Sequence, residues 1–293
     1  MSFLKLVLNP SAAEGPSGKH LNSFLIKAAQ MGLRVEMVPC SEPPLQEALS
    51  SCPRNTQAIV VAGGDGSLNW VVNTLLSLEI SHPPLAVLPW GTANDFSGNI
   101  LKSPFSIDKL LGAIGKGRTR KIDVGCINDR FFINVAGAGL LVDVAHNTSS
   151  SLKQSIGMLA YYLEGALHLP NYKPFSLSMK HGSKWEKMEV DLFLVLNGKT
   201  AGGLRNLAPD AELDDGKLDI LIVKNSGIPG LASLFPRLLS GQHTTDSRIL
   251  YFQEKTISFH APPWVETDLD GEPGPPFPLH FSILPGRLEF FTF

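Results

Sequence analysis

The first part of the chain alternates short apolar runs with segments in which apolar residues recur every three or four positions. The short runs predict buried strands, and the second spacing predicts helices with one apolar face. Strands are predicted at 3–8, 33–38, 58–62 and 85–88, each with a helix after it. This alternation predicts an α/β domain whose parallel sheet carries helices on both faces.

Near residue 120 the pattern changes from alternating elements to strands. Apolar segments at 121–125 and 131–136 flank an Asn-Asp turn, which is typical of a hairpin. A long helix is predicted at 155–167, and a short helix at 229–239 is expected to be interrupted by Pro236. Further strands are predicted at 175–179, 188–196, 218–223, 256–260, 279–284 and 287–293. The second part is therefore expected to be a largely antiparallel β-sandwich.

We assign residues 1–121, together with a returning C-terminal segment at 285–293, to the α/β domain, and residues 122–284 to the β-sandwich. No Ser- or Gly-rich linker separates the two parts, so we expect tight packing with a cleft between them. Clefts of this kind are common ligand sites. The carboxyl ends of the strands in the α/β domain are a second expected position for a ligand.

The segment Gly63-Gly64-Asp65-Gly66-Ser67 follows the third predicted strand and begins a helix. Main-chain N–H groups at such a helix start suit a phosphate. Asp65 would repel that phosphate unless a metal ion or a proton intervened, which indicates a site for metal-bound phosphate. A tight strand-to-helix turn without a ligand explains the same four residues equally well.

Three other polar clusters have both a chemical and a structural interpretation. In Gly91–Asp95, Thr92 could donate to a phosphate oxygen, or Thr92 or Asn94 could cap a helix. The acidic turn at 209–218 suits a hard cation bound by a carboxylate and main-chain carbonyls, or is a hydrated turn. A carboxylate in Asp270-Gly271-Glu272 could serve as a general base, or the segment could be a hairpin turn.

Composition narrows the function classes. Of 293 residues, 43% are apolar and 18% charged, which is enough for a sizeable core. A net charge of −2 without a basic run argues against nucleic acid as a partner. Three cysteines without metal-ligand spacing predict reduced thiols in a cytoplasmic protein. No uncharged apolar run reaches the ~18 residues of a transmembrane segment.

Taken together and in order, the motifs resemble the diacylglycerol kinase catalytic-domain family, in particular its bacterial soluble lipid kinases of the YegS/BmrU type. The resemblance covers nearly the whole chain. It rests on Asn9-Pro10, 63–66, Leu88-Pro89 with 91–96, 122–125, 132–134, 137–139, 209–211, 215–218 and 270–272. It implies an N-terminal three-layer α/β domain like that of phosphofructokinase and NAD kinase, then a β-sandwich, with ATP and the acceptor meeting in the cleft.

The resemblance also implies a role for individual residues. The nucleotide-binding residues would be Asn9, Gly63, Gly64, Asp65, Gly66, Ser67, Leu68, Asn69 and Thr92. Asp65 would lie near the Mg2+ of the nucleotide, and Asp215 would hold a structural Mg2+ with the carbonyls of Glu212 and Lys217. Glu272 would take the proton from a lipid hydroxyl as it attacks the γ-phosphate. The expected acceptor is diacylglycerol, phosphatidylglycerol or a sphingoid-type lipid, met at the membrane surface by a peripheral protein.

The chain departs from the family pattern at three places. Ser67 stands where the family usually has threonine, the turn at 11–15 is longer than usual, and Cys40 lies where a nucleotide-contacting threonine is common. Two other functions are compatible with the fold. An NAD or small-molecule kinase would share the Gly-Gly-Asp-Gly segment, although the cluster at 270–272 argues against it. A non-catalytic lipid-binding regulator would keep the fold without turnover, but the carboxylates expected for catalysis are all present.

Overall fold

The computed structural model describes residues 2–9, 16–41, 44–139, 173–182 and 184–293. The chain forms two compact units. The first consists of Met1–Ile122 and Gly286–Phe293, and the second of Asp123–Pro285. The predicted helix at 155–167 and the turn at 11–15 lie outside the described residues. None of the helices in the described part of the chain is long and apolar enough to cross a membrane.

The elements are listed here in chain order. The first are β1 (Ser2–Leu8), α1 (Pro16–Gln30), β2 (Leu33–Pro39), α2 (Pro44–Ser50), β3 (Thr56–Gly63), α3 (Asp65–Ser77), β4 (Leu85–Pro89), α4 (Asp95–Ile100) and α5 (Ile107–Gly115). Next come β5 (Thr119–Ile127), β6 (Arg130–Phe132), β7 (Val135–Gly139), β8 (Phe175–His181), β9 (Lys184–Leu196) and β10 (Leu218–Lys224). The last are α6 (Gly227–Ser240), a 3-10 turn (His243–Thr245), β11 (Ile249–Glu254), β12 (Thr256–His260), β13 (Thr267–Leu269), β14 (Glu272–Pro273) and β15 (Leu279–Phe291).

The first unit is built on a parallel sheet with the strand order β2-β1-β3-β4. The end of β15 joins this sheet, with Phe290 opposite Leu85 in parallel register. Almost every residue of β3 is buried, as expected for a parallel strand covered on both faces. The core between sheet and helices includes Leu4, Phe24, Val60, Leu88 and Leu111. Because the strands are parallel, the chain leaves β1, β2, β3 and β4 at the same edge of the sheet.

The second unit consists mainly of antiparallel strands. The predicted hairpin near residue 128 is confirmed, since Gly125 of β5 pairs with Phe132 of β6. The buried second half of β9 pairs with β7 and with β10. Its alternate side chains pack into two different hydrophobic clusters, with Phe193 in one and Leu194 in the other. Because both faces of this part of β9 are covered, residues 192–196 form an unbroken apolar run. The predicted α/β plus β-sandwich fold class is confirmed.

Several local predictions differ from the structure. The two strands predicted at 279–284 and 287–293 are one continuous strand, β15, in which Gly286 adopts a left-handed φ of 58°. Pro236 lies inside α6 and does not interrupt it. The half-buried strand β11 has no counterpart in the prediction, because its apolar and polar residues follow no clear period.

Candidate active site

The turn after β3 is tightly packed against two neighbouring segments. A Cβ atom on Gly63 would lie 2.5 Å from the Oγ of Ser67, so glycine is needed for this turn. Asn9, directly after β1, donates its main-chain N–H to Ala62 O at 3.1 Å. Its side-chain Nδ2 donates to Ser67 Oγ, also at 3.1 Å. The turn after β1 therefore meets the first turn of α3, as the parallel sheet predicted.

The turn after β4 lies against the same loop. A Cβ on Gly91 would lie only 2.3 Å from the Cα of Gly64, so the two glycine backbones are in direct contact. The N–H of Trp90 donates to Gly63 O at 3.0 Å. Asn94, in the left-handed region with a φ of 54°, closes the turn by accepting from Gly91 N–H at 2.9 Å. The two motifs therefore lie at the same edge of the sheet, because β3 and β4 are parallel neighbours.

Asp65 links the start of α3 to the start of α4. Its carboxylate accepts the N–H of Asp95 at 3.0 Å and the N–H of Phe96 at 2.9 Å. Asn94 occupies the N-cap position of α4 but makes no side-chain capping bond, and Thr92 is exposed. The prediction that Thr92 or Asn94 caps this helix is wrong, because Asp65 supplies the cap from another segment. The place of Asp65 beside a magnesium ion stays a prediction.

The predicted nucleotide-binding residues differ in what they present to a ligand. Leu68 is buried, and its N–H already donates to Gly64 O at 3.1 Å. Asn69 is also buried, and its main-chain carbonyl accepts from Asn73 Nδ2 at 3.0 Å. The residues before them, Gly64 to Ser67, lie at the helix N-terminus, where N–H groups point away from the helix. The loop can thus offer main-chain donors to an anion, next to the positive end of the α3 dipole.

The acidic turn of the second unit is fixed by a buried aspartate. Asp123 accepts the N–H of Gly216 at 2.6 Å and donates its own N–H to Leu213 O at 2.7 Å. The exposed Asp215 accepts the N–H of Lys217 at 3.0 Å. The carboxylate of Glu212 is paired with Lys199 Nζ at 3.0 Å, which leaves the Glu212 carbonyl as the group that could serve a cation.

The charges around this turn favour a cation. Desolvation raises the pKa of the Asp215 carboxyl, the N–H and charge of Lys217 lower it, and the charges of Asp123 and Glu212 raise it. In the described part of the chain, no group of three or more His, Cys, Asp or Glu side chains could hold a metal. A magnesium site here would therefore combine one carboxylate with main-chain carbonyl oxygens, a donor set that suits this hard cation.

The segment around Glu272 is a two-residue hairpin turn. Leu269 of β13 pairs with Glu272 of β14, and the connecting Asp270 and Gly271 have φ values of 52° and 92°. Two left-handed residues define a type I′ turn, so the hairpin interpretation is confirmed. The side chain of Glu272 is exposed, and no described residue forms a hydrogen bond or ion pair with it. Its carboxylate is available for chemistry.

Comparisons with known proteins agree with this arrangement. The family model described as the diacylglycerol kinase catalytic domain matches residues 4–127, and the model of the YegS C-terminal NAD kinase beta sandwich-like domain matches residues 134–292. A diacylglycerol kinase of Bacillus subtilis is 33% identical over 286 residues, covering 97% of this chain and 94% of that protein. The chain belongs to the diacylglycerol kinase catalytic-domain family. The predicted family and enzyme class, a lipid kinase, are confirmed.

Solved structures extend the comparison to the fold. A diacylglycerol kinase from Bacillus anthracis has a TM-score of 0.78 at 26% identity, covering 99% of this chain and 96% of that chain. Yeast NADH kinase, at 12% identity, has a TM-score of 0.52 over 100% of this chain and 83% of that chain. The second likeness shows the fold alone. Together the two agree with the predicted architecture of an α/β domain followed by a β-sandwich.

Cys40 lies next to the Ser67 side chain at the start of α3. It follows β2 at the same sheet edge, and its N–H donates to Leu8 O at 2.9 Å. Burial raises the pKa of the Cys40 thiol, and a hydrogen bond with the Ser67 side chain lowers it. The hydroxyl of Ser67 thus has both Asn9 and Cys40 as neighbours.

Several interactions of titratable side chains in the two units were not identified from the sequence. Burial raises the pKa of Asp219 to about 6, against hydrogen bonds from Tyr251 and Gln253. Tyr251 lies on β11, which the sequence did not predict, so no local signal could place its hydroxyl beside Asp219. The clamping roles of Asp65 and Asp123 were also missed. Both depend on main-chain partners about 30 and 93 positions away in sequence, which no local pattern reveals.

Proposed function

We propose that this lipid kinase transfers the γ-phosphate of ATP to a hydroxyl of diacylglycerol, with Glu272 as the general base. ATP is the co-substrate that membership of a kinase family implies. Relatives over nearly the full length are named diacylglycerol kinase, which supports this acceptor over phosphatidylglycerol and sphingoid lipids. The observation that carries the proposal is an exposed carboxylate on a two-residue hairpin.

In the first unit, we assign phosphate binding to the main-chain donors at the start of α3. Gly63, Gly64 and Gly91 allow the loops to approach closely, since a Cβ on Gly63 would collide with Ser67 and a Cβ on Gly91 would collide with Gly64. The hydroxyl of Ser67 and the exposed Thr92 are further donors for phosphate oxygens. Asn9, predicted as a nucleotide-binding residue, would orient Ser67 through the hydrogen bond from its Nδ2. A bound Mg2+ would neutralise charge on the phosphates.

In the second unit, the carboxylate of Glu272 removes the proton from the lipid hydroxyl as the hydroxyl oxygen attacks the γ-phosphorus. The bond from that phosphorus to the β–γ bridging oxygen breaks, and ADP leaves. The products are ADP, a lipid phosphate and the proton on Glu272, which passes to solvent. General-base catalysis of this type contributes about 10²- to 10⁴-fold in rate. The exposure of Glu272 allows both the approach of a hydroxyl and the return of the proton to water.

We further propose that Asp215, with the carbonyls of Glu212 and Lys217, binds a structural Mg2+. The Asp123–Gly216 hydrogen bond at 2.6 Å holds the turn in a fixed shape. Desolvation and, to a smaller extent, the charges of Asp123 and Glu212 raise the pKa of Asp215, and a bound cation would favour its ionised form. We also propose that the enzyme acts at the membrane surface, because diacylglycerol resides in the bilayer.

The proposed base can be tested with Glu272→Gln, which keeps the size of the side chain and removes its basicity. We expect kcat for diacylglycerol phosphorylation to fall by about 10²- to 10⁴-fold. Binding of ATP, measured calorimetrically without lipid, should stay within about twofold of wild type. Glu186→Gln is the matched control, since Glu186 is an exposed glutamate on β9 of the same unit.

Two results would decide against parts of this account. Turnover close to wild type in Glu272→Gln would remove Glu272 from the role of base while leaving the kinase activity intact. Absence of phosphate transfer to any lipid by the wild-type protein, together with tight lipid binding, would favour the non-catalytic regulator instead.

A further inference from the structure

We propose that Asp270 is a positioning residue that holds Glu272 in place for proton abstraction, without itself touching the substrate. This inference rests on the proposed role of Glu272. Asp270 lies two residues before Glu272 and is partly buried, whereas Glu272 is exposed. The two carboxylates of the same turn would therefore have different tasks.

The carboxylate of Asp270 holds a segment more than 130 positions away in the chain. It accepts the main-chain N–H of Ile133 at 2.7 Å, that of Asn134 at 2.9 Å and that of Val135 at 2.8 Å. Hydrogen bonds to a charged acceptor are roughly twice as strong as those between neutral groups. Three main-chain donors thus converge on the Asp270 carboxylate.

The main chain of Asp270 reinforces the clamp. Its N–H donates to Val135 O at 2.9 Å, so side chain and backbone bind the same segment from one residue. Asp270 has a φ of 52°, a left-handed conformation that is unfavourable for most residues. Asparagine and glycine adopt it more readily than other residues and would satisfy the turn, so the turn alone does not require an aspartate. The three N–H donors do.

The rest of the hairpin is fixed on both sides of Glu272. Asp268 accepts the N–H of Gly271 at 2.9 Å, directly before Glu272. Directly after it, the carbonyl of Pro273 accepts from Arg130 Nη1 at 2.6 Å. The backbone of Glu272 is thus held between two anchored neighbours while its side chain remains exposed. This combination fixes the origin of the reactive carboxylate without blocking access to it.

Loss of the clamp should therefore impair the chemical step more than binding. A displacement of about 1 Å in a reacting group can cost about 100-fold in rate. In Asp270→Asn, the Nδ2 group replaces one carboxylate oxygen and points N–H donors at main-chain donors. We expect kcat to fall by about 10- to 100-fold while the KM for ATP stays within about twofold.

A double-mutant cycle tests whether Asp270 acts through Glu272. The variants are Asp270→Asn, Glu272→Gln and the double variant, each assayed for phosphate transfer to diacylglycerol. If Asp270 only positions Glu272, the double variant should be no slower than Glu272→Gln alone. Asp270→Gly is a second variant, because glycine keeps the left-handed turn and lacks the carboxylate. It should show a similar loss of kcat.

Asp246→Asn provides the matched control in the same unit. Asp246 also accepts a main-chain N–H, from Arg248 at 3.0 Å, and binds the side chains of Arg248 and Arg237. We expect this variant to lose melting temperature while keeping kcat. Losses that multiply fully in the double variant, or wild-type kcat in both Asp270 variants, would overturn the positioning role. Wild-type turnover in Glu272→Gln alone would instead overturn the proposed base.

Discussion

Asp65 in the first unit and Asp270 in the second occupy similar local sequences, each followed directly by a glycine. Both use the carboxylate to bind main-chain N–H groups of a distant segment. Asp65 binds residues 30 and 31 positions away, and Asp270 binds residues 135 to 137 positions away. The two differ in what the clamp holds. Asp65 joins the two loops of the proposed phosphate site, whereas Asp270 anchors the hairpin that carries the proposed base, Glu272.

The two motifs therefore differ in which groups they offer to a substrate. In the first unit the groups available to a phosphate are mainly main-chain N–H donors, so the loops must keep a fixed backbone conformation. In the second unit the available group is the Glu272 carboxylate, so the hairpin must be rigid and exposed. Loss of Asp65 should therefore weaken nucleotide binding, and loss of Asp270 should slow the reaction.

Apart from the Glu272 and Asp270 variants described above, the largest effect is expected for Asp65→Asn. Its Nδ2 group would face the N–H of Asp95 or Phe96, and an unsatisfied donor of this kind costs about 1–3 kcal/mol. We expect kcat/KM for ATP to fall by about 100-fold, mainly through KM. Calorimetric binding of ATP would measure this directly. Asp108→Asn is the control, because Asp108 lies in the first turn of α5 and forms an exposed ion pair with Lys27.

A KM for ATP unchanged in Asp65→Asn would break the comparison. The same variant also tests the expected metal role of Asp65. If Asp65 contacts the nucleotide-bound Mg2+, the Mg2+ concentration for half-maximal rate should rise. If Asp65 only clamps α4, that concentration should not change.

Gly91→Ala should produce a somewhat smaller effect on the same loops. The added Cβ would lie 2.3 Å from Gly64 Cα, so one backbone must move. Overpacking of this kind costs about 1–3 kcal/mol. We expect a lower melting temperature and weaker ATP binding, with kcat at saturating ATP reduced much less. Gly98→Ala is the matched control, since a Cβ there meets no atom within 4 Å. Unchanged ATP affinity in Gly91→Ala would show that the contact between Gly64 and Gly91 does not determine the conformation of the proposed ATP-binding loops.

Asp215→Ala should have a moderate effect that depends on Mg2+. With the proposed structural ion absent, activity and melting temperature should fall together. Added Mg2+ should raise the melting temperature of the wild-type protein but not that of the variant. The measurement is thermal unfolding without nucleotide, with and without Mg2+. A Mg2+ response that survives in Asp215→Ala would contradict the assignment of this turn as the metal site.

The smallest effect concerns pH and a carboxylate outside both motifs. Hydrogen bonds from Arg248 hold the pKa of Asp246 well below its usual range. A lowered pKa in the folded state means that stability is present above the unfolded value of about 4 and is lost as pH falls below it. The melting-temperature difference between wild type and Asp246→Asn should therefore be constant near neutral pH and shrink below about pH 4. A difference that persists at lower pH would mean that packing, rather than charge, determines the effect.

The sequence predicted much of the fold because its elements follow regular periods. The parallel strands β1 to β4 read as short apolar runs. Because these strands run in the same direction, Asn9, Gly63 and Gly91 lie at one edge of the sheet. The turn at Asp270-Gly271 was also readable, since this dipeptide favours a type I′ hairpin. Local periodicity did not reveal β11 or the continuity of β15 through Pro285-Gly286.

The site was less predictable because its contacts are distant in sequence. Asp65 reads as a metal-facing carboxylate in a phosphate loop, yet the structure bonds it to the start of α4. The sequence around Asp270 does not reveal that its carboxylate accepts hydrogen bonds from the main-chain N–H groups of residues 133–135. Leu68 and Asn69 belong to the motif, but helix α3 turns both side chains inward. Only the three-dimensional structure distinguishes the residues that hold the motif together from those that could face a ligand.

The central claim is that this protein phosphorylates a lipid hydroxyl with ATP. The most direct measurement is transfer of the labelled γ-phosphate of ATP to diacylglycerol, phosphatidylglycerol, a sphingoid base and NAD, with and without Mg2+. The account predicts a labelled lipid phosphate from diacylglycerol that requires Mg2+, with no label on NAD. Label on NAD alone, or no labelled lipid under conditions in which the Bacillus subtilis diacylglycerol kinase is active, would contradict it.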